Sequence, residues 1–298
     1  MQWIYYSPEF ECDQYNKDML KYSPWSGHRL FAYDLIANIK PSNIVELGSF
    51  YGCSMFAFAQ AVKDLNLDTK LYAVDLWEVF DKFTEHDYQE DVYSAFLQIR
   101  EQCYARQDIE MMKMSFDQAI DHIEDRSIDI LHIDGSHFYE DVKHDFETWR
   151  YKLKDDAVIL FHDIGDEVIN GAIMGSHTYW NELKQQYSWT MEFDFSCGLG
   201  ILFTSSNLYE RFNKTIDLDY YQKKNNSLDV WMKDDLRKLS FRVKGAEFYI
   251  SELKKQLAIK DVHLENYKQD RKKLQDDYEQ TIQKKDEYIK ELETRLRG

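Results

Sequence analysis

The chain has 298 residues, of which 44% are hydrophobic and 15% aromatic, a composition typical of a folded globular protein. Its formal net charge is −17, and acidic and basic residues balance from 246 to 298, so the whole excess lies on residues 1–245. A body that acidic repels phosphate backbones, which argues against DNA or RNA as substrate or partner. No run of eighteen apolar residues occurs, so we expect no membrane-spanning segment.

Four cysteines are present, and their spacing matches neither a CxxC pair nor a metal-ligand pattern. The first residues do not have a signal-peptide pattern, so we expect none. We therefore expect a reducing, cytoplasmic location.

The first 26 residues are rich in tryptophan and tyrosine and contain Pro8 and Pro24. This pattern predicts an irregular aromatic arm that packs on the body or roofs its site. Apolar residues at helical spacing from 27 to 39 predict the first helix, which Pro41 ends.

The chain is organised around residues 43–54, NIVELGSFYGCS. An apolar run that carries Glu46 breaks at Gly48, and a helical pattern starts just after Gly52. This order predicts a strand, a tight glycine turn and a helix. In an open parallel sheet such a turn lies at the edge where ligands bind, with a helix N-terminus facing the ligand.

Strands and helices are predicted to alternate through the rest of the body. Further strands are expected at 71–74, 109–114, 128–133 and 157–161, and further helices at 55–65, 92–104, 116–123, 137–153 and 172–187. Residues 189–195 and 198–203 are close enough in sequence to favour an antiparallel pair. Residues 78–91, charged and aromatic without a clear period, are a candidate lid. The predicted fold class is α/β: a Rossmann-like, doubly wound seven-stranded sheet with an antiparallel last strand.

Residues 205–245 predict a helical or irregular connector, with a turn at Asn225-Asn226. From 246 to 298 apolar residues recur at heptad spacing and then slip by four residues, which predicts a C-terminal coiled coil with a stutter. A helix that long and polar needs a partner, so we expect a homo-oligomer formed through this coil. A solitary charged helix is the alternative interpretation.

Three motifs resemble the class I S-adenosylmethionine-dependent methyltransferases: VELGSFYGCS, the acid that ends LYAVD, and HIDGSHFYEDV followed by AVILFHDI. Within that class the chain is most similar to the branch with sugar and glycoside O-methyltransferases. The resemblance covers residues 27–204, and the family's fuller glycine pattern has a third glycine where this chain has Phe50.

The resemblance implies S-adenosylmethionine as cofactor. Three groups of residues would contact it: Glu46, Gly48, Ser49 and Gly52 at the methionine and ribose end, Asp75 at the ribose hydroxyls, and Trp77, Met114 and Ser115 at adenine. A carboxylate at the end of the strand next to the glycine turn also suits a ribose diol on general grounds. Structural acids that cap nearby amides are the alternative for Glu46 and Asp75.

The same resemblance implies that His137 is the catalytic base, next to Asp134. It also implies that Asp134 and Asp163 hold a divalent metal, with His162 where the family often has a further acid. Oxygen ligands suit Mg²⁺, whereas a histidine in the set favours Mn²⁺. A helix N-terminus with polar caps is the alternative for residues 134–136, and His132 is typical of a satisfied core histidine.

The function predicted from these motifs is O-methylation of a sugar or glycan hydroxyl, with modification or chain termination of a surface polysaccharide as one setting. Glycan-assembly enzymes at the inner face of the membrane are the expected partners. Methylation of a small molecule on nitrogen or oxygen, and a degenerate methyltransferase fold that serves as a scaffold for the coil, are the alternatives. A Rossmann dehydrogenase is disfavoured because the GxGxxG fingerprint is absent.

Overall fold

A computed structural model gives the architecture. It describes residues 2–15, 23–77, 91–166, 168–169 and 172–227, and, towards the C-terminus, positions 250, 254, 257, 260, 264–265, 267–269, 271–273, 275 and 278–285. The chain divides into two compact units, Met1–Gly245 and Ala246–Gly298.

The first unit is built on a seven-stranded mixed sheet with the strand order β3-β2-β1-β4-β5-β9-β8. Its strands are β1 (Asn43–Leu47), β2 (Lys70–Asp75), β3 (Asp108–Lys113), β4 (Ile128–Ile133), β5 (Leu153–His162), β8 (Thr190–Phe193) and β9 (Leu199–Phe203). The first five are parallel, and β9 runs antiparallel between β5 and β8. The predicted α/β sheet with an antiparallel ending is confirmed.

Helices cover both faces of the sheet. They are α1 (Arg29–Ile39), α2 (Cys53–Asp64), α3 (Val92–Cys103), α4 (Phe116–Ala119), α5 (Tyr139–Trp149), α6 (Gly175–Gln186), α7 (Ser206–Asn213) and α8 (Leu218–Ser227), with a 3-10 helix at Pro24–His28. Alternate residues of each central strand enter different cores, because successive side chains of a strand point to opposite faces. Ile44 and Ile130 join the core of α1, α2 and α3, whereas Leu47 and Ile133 join that of α5 and α6.

The N-terminal arm packs on the body through Trp3. This side chain is 5% exposed, packs edge-on against Phe212 of α7, and donates a hydrogen bond to Tyr221 Oη in α8 at 2.8 Å. Tyr221 in turn donates to the buried carboxylate of Asp34 in α1 at 2.6 Å. The arm and the segment after the sheet are thus joined on the same helix.

Three local predictions need comment. Strand β6 (Val168–Ile169) pairs antiparallel with β7 (Ala172–Ile173), and β7 takes the first residues of the helix predicted at 172–187, so that α6 begins only at Gly175. The predicted turn at Asn225-Asn226 is wrong, because α8 continues through both residues to Ser227. The predicted lid lies almost wholly outside the described residues.

In the C-terminal unit, every described position from 250 to 285 is helical. Its described large apolar side chains are exposed: Ile250, Leu257, Leu264, Tyr267, Tyr278 and Ile282. The helix is therefore present, and its pairing into a coil stays a prediction. Across the described part of both units, no helix is long and apolar enough to cross a membrane.

Candidate active site

The glycine turn between β1 and α2 lies against the loop that follows β4. Gly48 has φ +93°, and a Cβ there would come within 2.2 Å of the Asp134 carbonyl oxygen, so only glycine fits. Gly52, with φ +87°, ends the turn and accepts no Cβ either, because the Phe56 ring lies 2.5 Å from that position. Gly48 thus lets the end of β1 lie directly against the residues that follow β4, and Gly52 lets the start of α2 pack against the Phe56 ring.

Phe50 occupies the turn position where the resembling family has its third glycine, and it adopts the left-handed conformation with φ 46°. Its amide donates to Asp75 Oδ2 at 2.9 Å, and its carbonyl accepts from Trp77 Nε1 at 2.9 Å. These two hydrogen bonds offset a strain of about 1 kcal/mol that a non-glycine residue bears there. The substitution thus preserves the turn.

Asp75, at the end of β2, holds this turn from below. Its Oδ2 accepts from the amides of Ser49 and Phe50, both at 2.9 Å, and its Oδ1 accepts from the amide of Trp77 at 2.6 Å. A carboxylate offers about four lone-pair positions, so one remains for a ligand hydroxyl. The ribose role of Asp75 stays a prediction, and its structural role is plain.

Glu46 is fully buried on β1, directly opposite His132 on β4. Its Oε1 accepts from His132 Nδ1 at 3.0 Å. Its Oε2 is buried and has no hydrogen-bond partner, and the same holds for Ser49 Oγ in the adjoining turn. Buried polar atoms without partners are costly, so two unsatisfied acceptors at the turn favour a ligand that brings donors.

The residues predicted to flank adenine differ in their surroundings. Trp77 is 5% exposed and packs its ring edge-on against Tyr93 and Phe96. Ser115 caps α4 through a capping box with Gln118, and Met114 directly precedes it, partly buried. Leu76, which follows Asp75 at the end of β2, was not singled out from the sequence, and its side chain is 38% exposed.

A three-residue cluster lies at the ends of β4 and β5. Ligand atoms of Asp134, His162 and Asp163 all fall within 4.8 Å of one another. His162 Nδ1 lies 3.1 Å from Asp134 Oδ1 and 3.2 Å from Asp163 Oδ2. Adjacent parallel strands bring these residues together, as the sequence predicted.

The orientation of His162 is set by a residue far along the chain. Its Nε2 lies 3.1 Å from the Ser196 carbonyl oxygen and must donate to it, which turns Nδ1 toward the two carboxylates. Burial opposes ionisation of the ring, but Asp163 and Asp134 raise the pKa of His162 well above its ordinary value. Burial likewise disfavours the Asp163 carboxylate, but His162 and His137 hold the pKa of Asp163 below its usual range.

His137, in the loop before α5, joins this cluster. Its Nδ1 lies 3.4 Å from Asp163 Oδ2, and its side chain is 43% exposed. Ser176 supports both partners, because its amide donates to the His137 carbonyl at 3.3 Å and its Oγ donates to the Asp163 carbonyl at 2.6 Å. The candidate base and its neighbouring acid are therefore braced by α6.

Sequence reasoning missed Ser176, Ser196 and His28 as members of this region, and it expected Trp25 only as part of the aromatic arm. His28 is fully buried and its Nε2 shares the Ser196 carbonyl at 3.2 Å. Burial, with the charge of His162 nearby, lowers the pKa of His28 well below its ordinary value. These residues lie far from the motifs in sequence, and their types are ordinary, so no local pattern marks them.

Backbone strain concentrates at this edge of the sheet. Among the described residues, eight other than glycine have positive φ, and five of these follow β1, β2, β5 or β8: Phe50, Trp77, Asp163, Ser196 and Cys197. Strained positions persist where the surrounding structure enforces them, and they cluster at functional sites. The carboxyl edge of the sheet is thus the candidate active site.

Comparison with known proteins agrees with this placement. Residues 45–164 match the family model described as a methyltransferase domain. The matched segment contains the glycine turn, Asp75, the His137 loop and the Asp134, His162 and Asp163 cluster.

A curated relative covers more of the chain. A protein of Sinorhizobium fredii, named "Uncharacterized protein y4gI", is 40% identical over 191 residues, which are 63% of this chain and 20% of that protein. The chain thus spans about a fifth of the length of this relative.

Two solved structures are also similar. The O-methyltransferase TomG from Streptomyces achromogenes, in complex with S-adenosylmethionine, gives a TM-score of 0.47 at 13% identity, over 68% of this chain and 92% of that one. An O-methyltransferase from Bacillus cereus gives 0.43 at 15% identity, over 61% and 82%.

Proposed function

We propose that this protein is an S-adenosylmethionine-dependent O-methyltransferase that acts on a hydroxyl of a sugar or glycan. One observation carries the proposal: a half-exposed histidine, His137, lies 3.4 Å from a buried aspartate at the edge where the glycine turn brings β1 against β4. A base oriented by an acid, next to a cofactor turn, is the arrangement that removal of a hydroxyl proton requires. The methyltransferase domain match supports this choice.

The turn suits S-adenosylmethionine better than a pyrophosphate. Residues 43–54 contain no lysine or arginine, and Glu46 Oε2 and Ser49 Oγ are unpaired oxygens that can accept hydrogen bonds from a ligand. A ligand with a cationic amino-acid end supplies donors and charge for these oxygens. When bound, S-adenosylmethionine would supply a methyl group on a sulfonium, and its C–S bond would break as the O–CH₃ bond forms.

The Asp134, His162 and Asp163 set also fits a divalent metal. The His162 Nε2 proton is committed to the Ser196 carbonyl, so Nδ1 is the atom that faces the two carboxylates. A ring nitrogen oriented by a carbonyl on its other side is the usual state of a metal-ligating histidine. Two carboxylates with one imidazole suit Mn²⁺ as well as Mg²⁺, and such an ion would lower the pKa of an acceptor hydroxyl.

His137 is the residue proposed to take the acceptor's proton. Asp163 faces its Nδ1, which leaves Nε2 for the hydroxyl, and the imidazolium that forms is stabilised by that carboxylate. Methyl transfer is an in-line displacement, so the other task of the site is alignment of the acceptor oxygen.

The sugar or glycan acceptor, cytoplasmic location and glycan-assembly partners rest on the motif resemblance. The exposed rings of Phe50 and Phe138, 51% and 62% exposed, border the site and offer apolar faces to an acceptor. Small phenols and amino sugars present related nucleophiles and are the competing acceptor classes.

Two assays on the full chain test the proposal. Calorimetric titration with S-adenosylhomocysteine is expected to show one site per chain with a Kd in the micromolar range, about −8 kcal/mol. Transfer of labelled methyl to a panel of glycans, nucleotide sugars, amino sugars and phenols is expected to label a glycan or sugar. No binding of the cofactor product would refute methyl transfer, and label on phenols alone would refute the sugar acceptor.

A further inference from the structure

A buried relay of three side chains joins the N-terminal segment to the cofactor turn. Trp25, in the 3-10 helix Pro24–His28, donates from Nε1 to His132 Nε2 at 3.0 Å. The other ring nitrogen of His132, Nδ1, lies 3.0 Å from Glu46 Oε1. All three side chains are at most 2% exposed.

The direction of the relay follows from the donors available. An indole N–H can only donate, so His132 Nε2 must be the acceptor and the ring proton sits on Nδ1. Nδ1–H therefore donates to Glu46 Oε1. Trp25 and Glu46 thus require the same tautomer of His132, with the proton on Nδ1.

Sheet geometry explains why the relay forms. Glu46 on β1 and His132 on β4 are register partners in neighbouring parallel strands, and both point into the core beneath α1 and α2. Phe58 of α2 packs edge-on against the rings of both Trp25 and His132, at 5.9 and 6.0 Å between centroids. Packing holds the rings, and the hydrogen bonds hold the carboxylate.

We propose that Trp25 and His132 are positioning residues for Glu46, the acid that the motif resemblance already places at the methionine end of the cofactor: they fix its carboxylate through Oε1 and so keep Oε2 turned to the amino group of that end. This inference rests on the proposed function, because it names the ligand group for that site. Its structural basis is that Oε1 is committed to His132 while Oε2 is buried and unpaired. A fully buried carboxylate without the relay would lack any partner and would be free to turn away.

A comparison of two ligands distinguishes the positioning of Glu46 from a general contribution to the stability of the fold. S-adenosylhomocysteine has the amino-acid end, and 5′-methylthioadenosine has the same adenosine and sulfur without it. The ratio of their affinities, measured by calorimetry on the full chain, therefore reports the amino-acid end alone. A variant that only destabilises the fold should weaken the binding of both ligands equally, and the ratio of their affinities should stay the same.

Four variants provide the test. His132→Phe is expected to lower affinity for S-adenosylhomocysteine about tenfold, and Trp25→Phe several-fold, while 5′-methylthioadenosine binds as in the wild type. His132→Asn keeps a donor near the Nδ1 position and should recover most of the loss. Phe58→Leu, which disturbs the same packing without removing a hydrogen bond, should leave the affinity ratio unchanged.

A spectroscopic signature adds a readout that packing does not move. In the wild type the ¹⁵N shifts of the His132 ring should show the proton on Nδ1 and a hydrogen bond accepted at Nε2, and Trp25→Phe should move the Nε2 shift to that of a ring nitrogen without a donor. The inference would be overturned if His132→Phe lowered the affinity for both ligands equally, or if the wild-type His132 ring carried its proton on Nε2. Failure of the wild type to bind either ligand would instead count against the proposed function, so the two failures are distinct.

Discussion

Asp163 is held between two histidines at the end of β5, in the left-handed conformation with φ 58°. Its Oδ2 lies 3.2 Å from His162 Nδ1 and 3.4 Å from His137 Nδ1. The strained backbone lets one carboxylate face the metal-type cluster and the candidate base together. At the scale of single residues, this shared acid would link metal binding to proton removal in the proposed mechanism.

Replacement of His137 by alanine tests its role as base. We expect turnover to fall by a factor of roughly 10² to 10⁴, because the acceptor hydroxyl loses its proton acceptor. Affinity for S-adenosylhomocysteine should stay within about twofold, since the ring lies with Asp163 and not with Glu46. Steady-state kinetics with calorimetry on the same preparations measures both quantities.

The matched control is His122→Ala, which removes an exposed histidine from the 3-10 helix Ile120–His122. It should leave turnover unchanged. A His137→Ala enzyme that retains its wild-type rate would remove His137 from the mechanism.

At the scale of elements, the sequence located the regular parts well. β4 begins and ends at the predicted residues, and β1, β2, β3, β5 and the β8–β9 pair fall within a few residues of their predicted bounds. Apolar periodicity determines such elements because they must bury one face or both. The β6–β7 hairpin and the course of α8 through Asn225-Asn226 depend on tertiary packing, which overrides local turn propensity.

The convergence of the candidate site residues was predictable for the same reason. Asp134, His162, Asp163 and His137 adjoin strand ends that periodicity locates, so their convergence followed from topology. Ser196 and Trp25 come from a hairpin loop and the N-terminal segment, and only the folded chain brings them to the site. His132 was correctly predicted to be a satisfied core residue. Its hydrogen bond with Glu46 depends on the register of β1 and β4, which the sequence alone does not reveal.

Helix α5 carries a buried acid, Asp145, that makes the stability of this element depend on pH. Burial, opposed in part by His144, raises the pKa of Asp145 to about 7. In the unfolded chain the Asp145 carboxyl has an ordinary pKa of about 4, so the folded state binds its proton more tightly. The contribution of this group is fully present below about pH 4 and is lost as pH rises through about 7.

Asp145→Asn should therefore stabilise the protein at pH 8, by on the order of 2 kcal/mol, and change little at pH 4. Thermal unfolding of variant and wild type at both pH values measures the effect. Glu147→Gln, an equal change of charge at an exposed position of the same helix, should give no such difference. A variant equally or less stable than the wild type at pH 8 would contradict the expectation.

At the scale of the whole molecule, charge and apolar surface are divided between the two units. The net charge of −17 lies on residues 1–245, whereas the C-terminal unit is charge-balanced and its helix exposes apolar side chains. Ile250, Leu257 and Leu264 lie seven residues apart and are each more than half exposed. Exposed apolar residues at this spacing are typical of a helix that pairs with another helix.

We accordingly expect the C-terminal helix to assemble copies of the chain into an oligomer. The unit Met1–Gly245 should not need this assembly for methyl transfer. Truncation after Gly245 should convert the oligomer to a monomer, as measured by light scattering. The methyl-transfer rate per chain should be retained. Leu257→Lys combined with Leu264→Lys should have the same effect in the full chain, because two charges in an apolar seam repel and resist burial. Glu265→Lys changes the net charge equally beside the seam and should leave the assembly intact. An oligomer of unchanged size after truncation would place the contact in the unit Met1–Gly245, and a monomeric full chain would show that the helix has another partner.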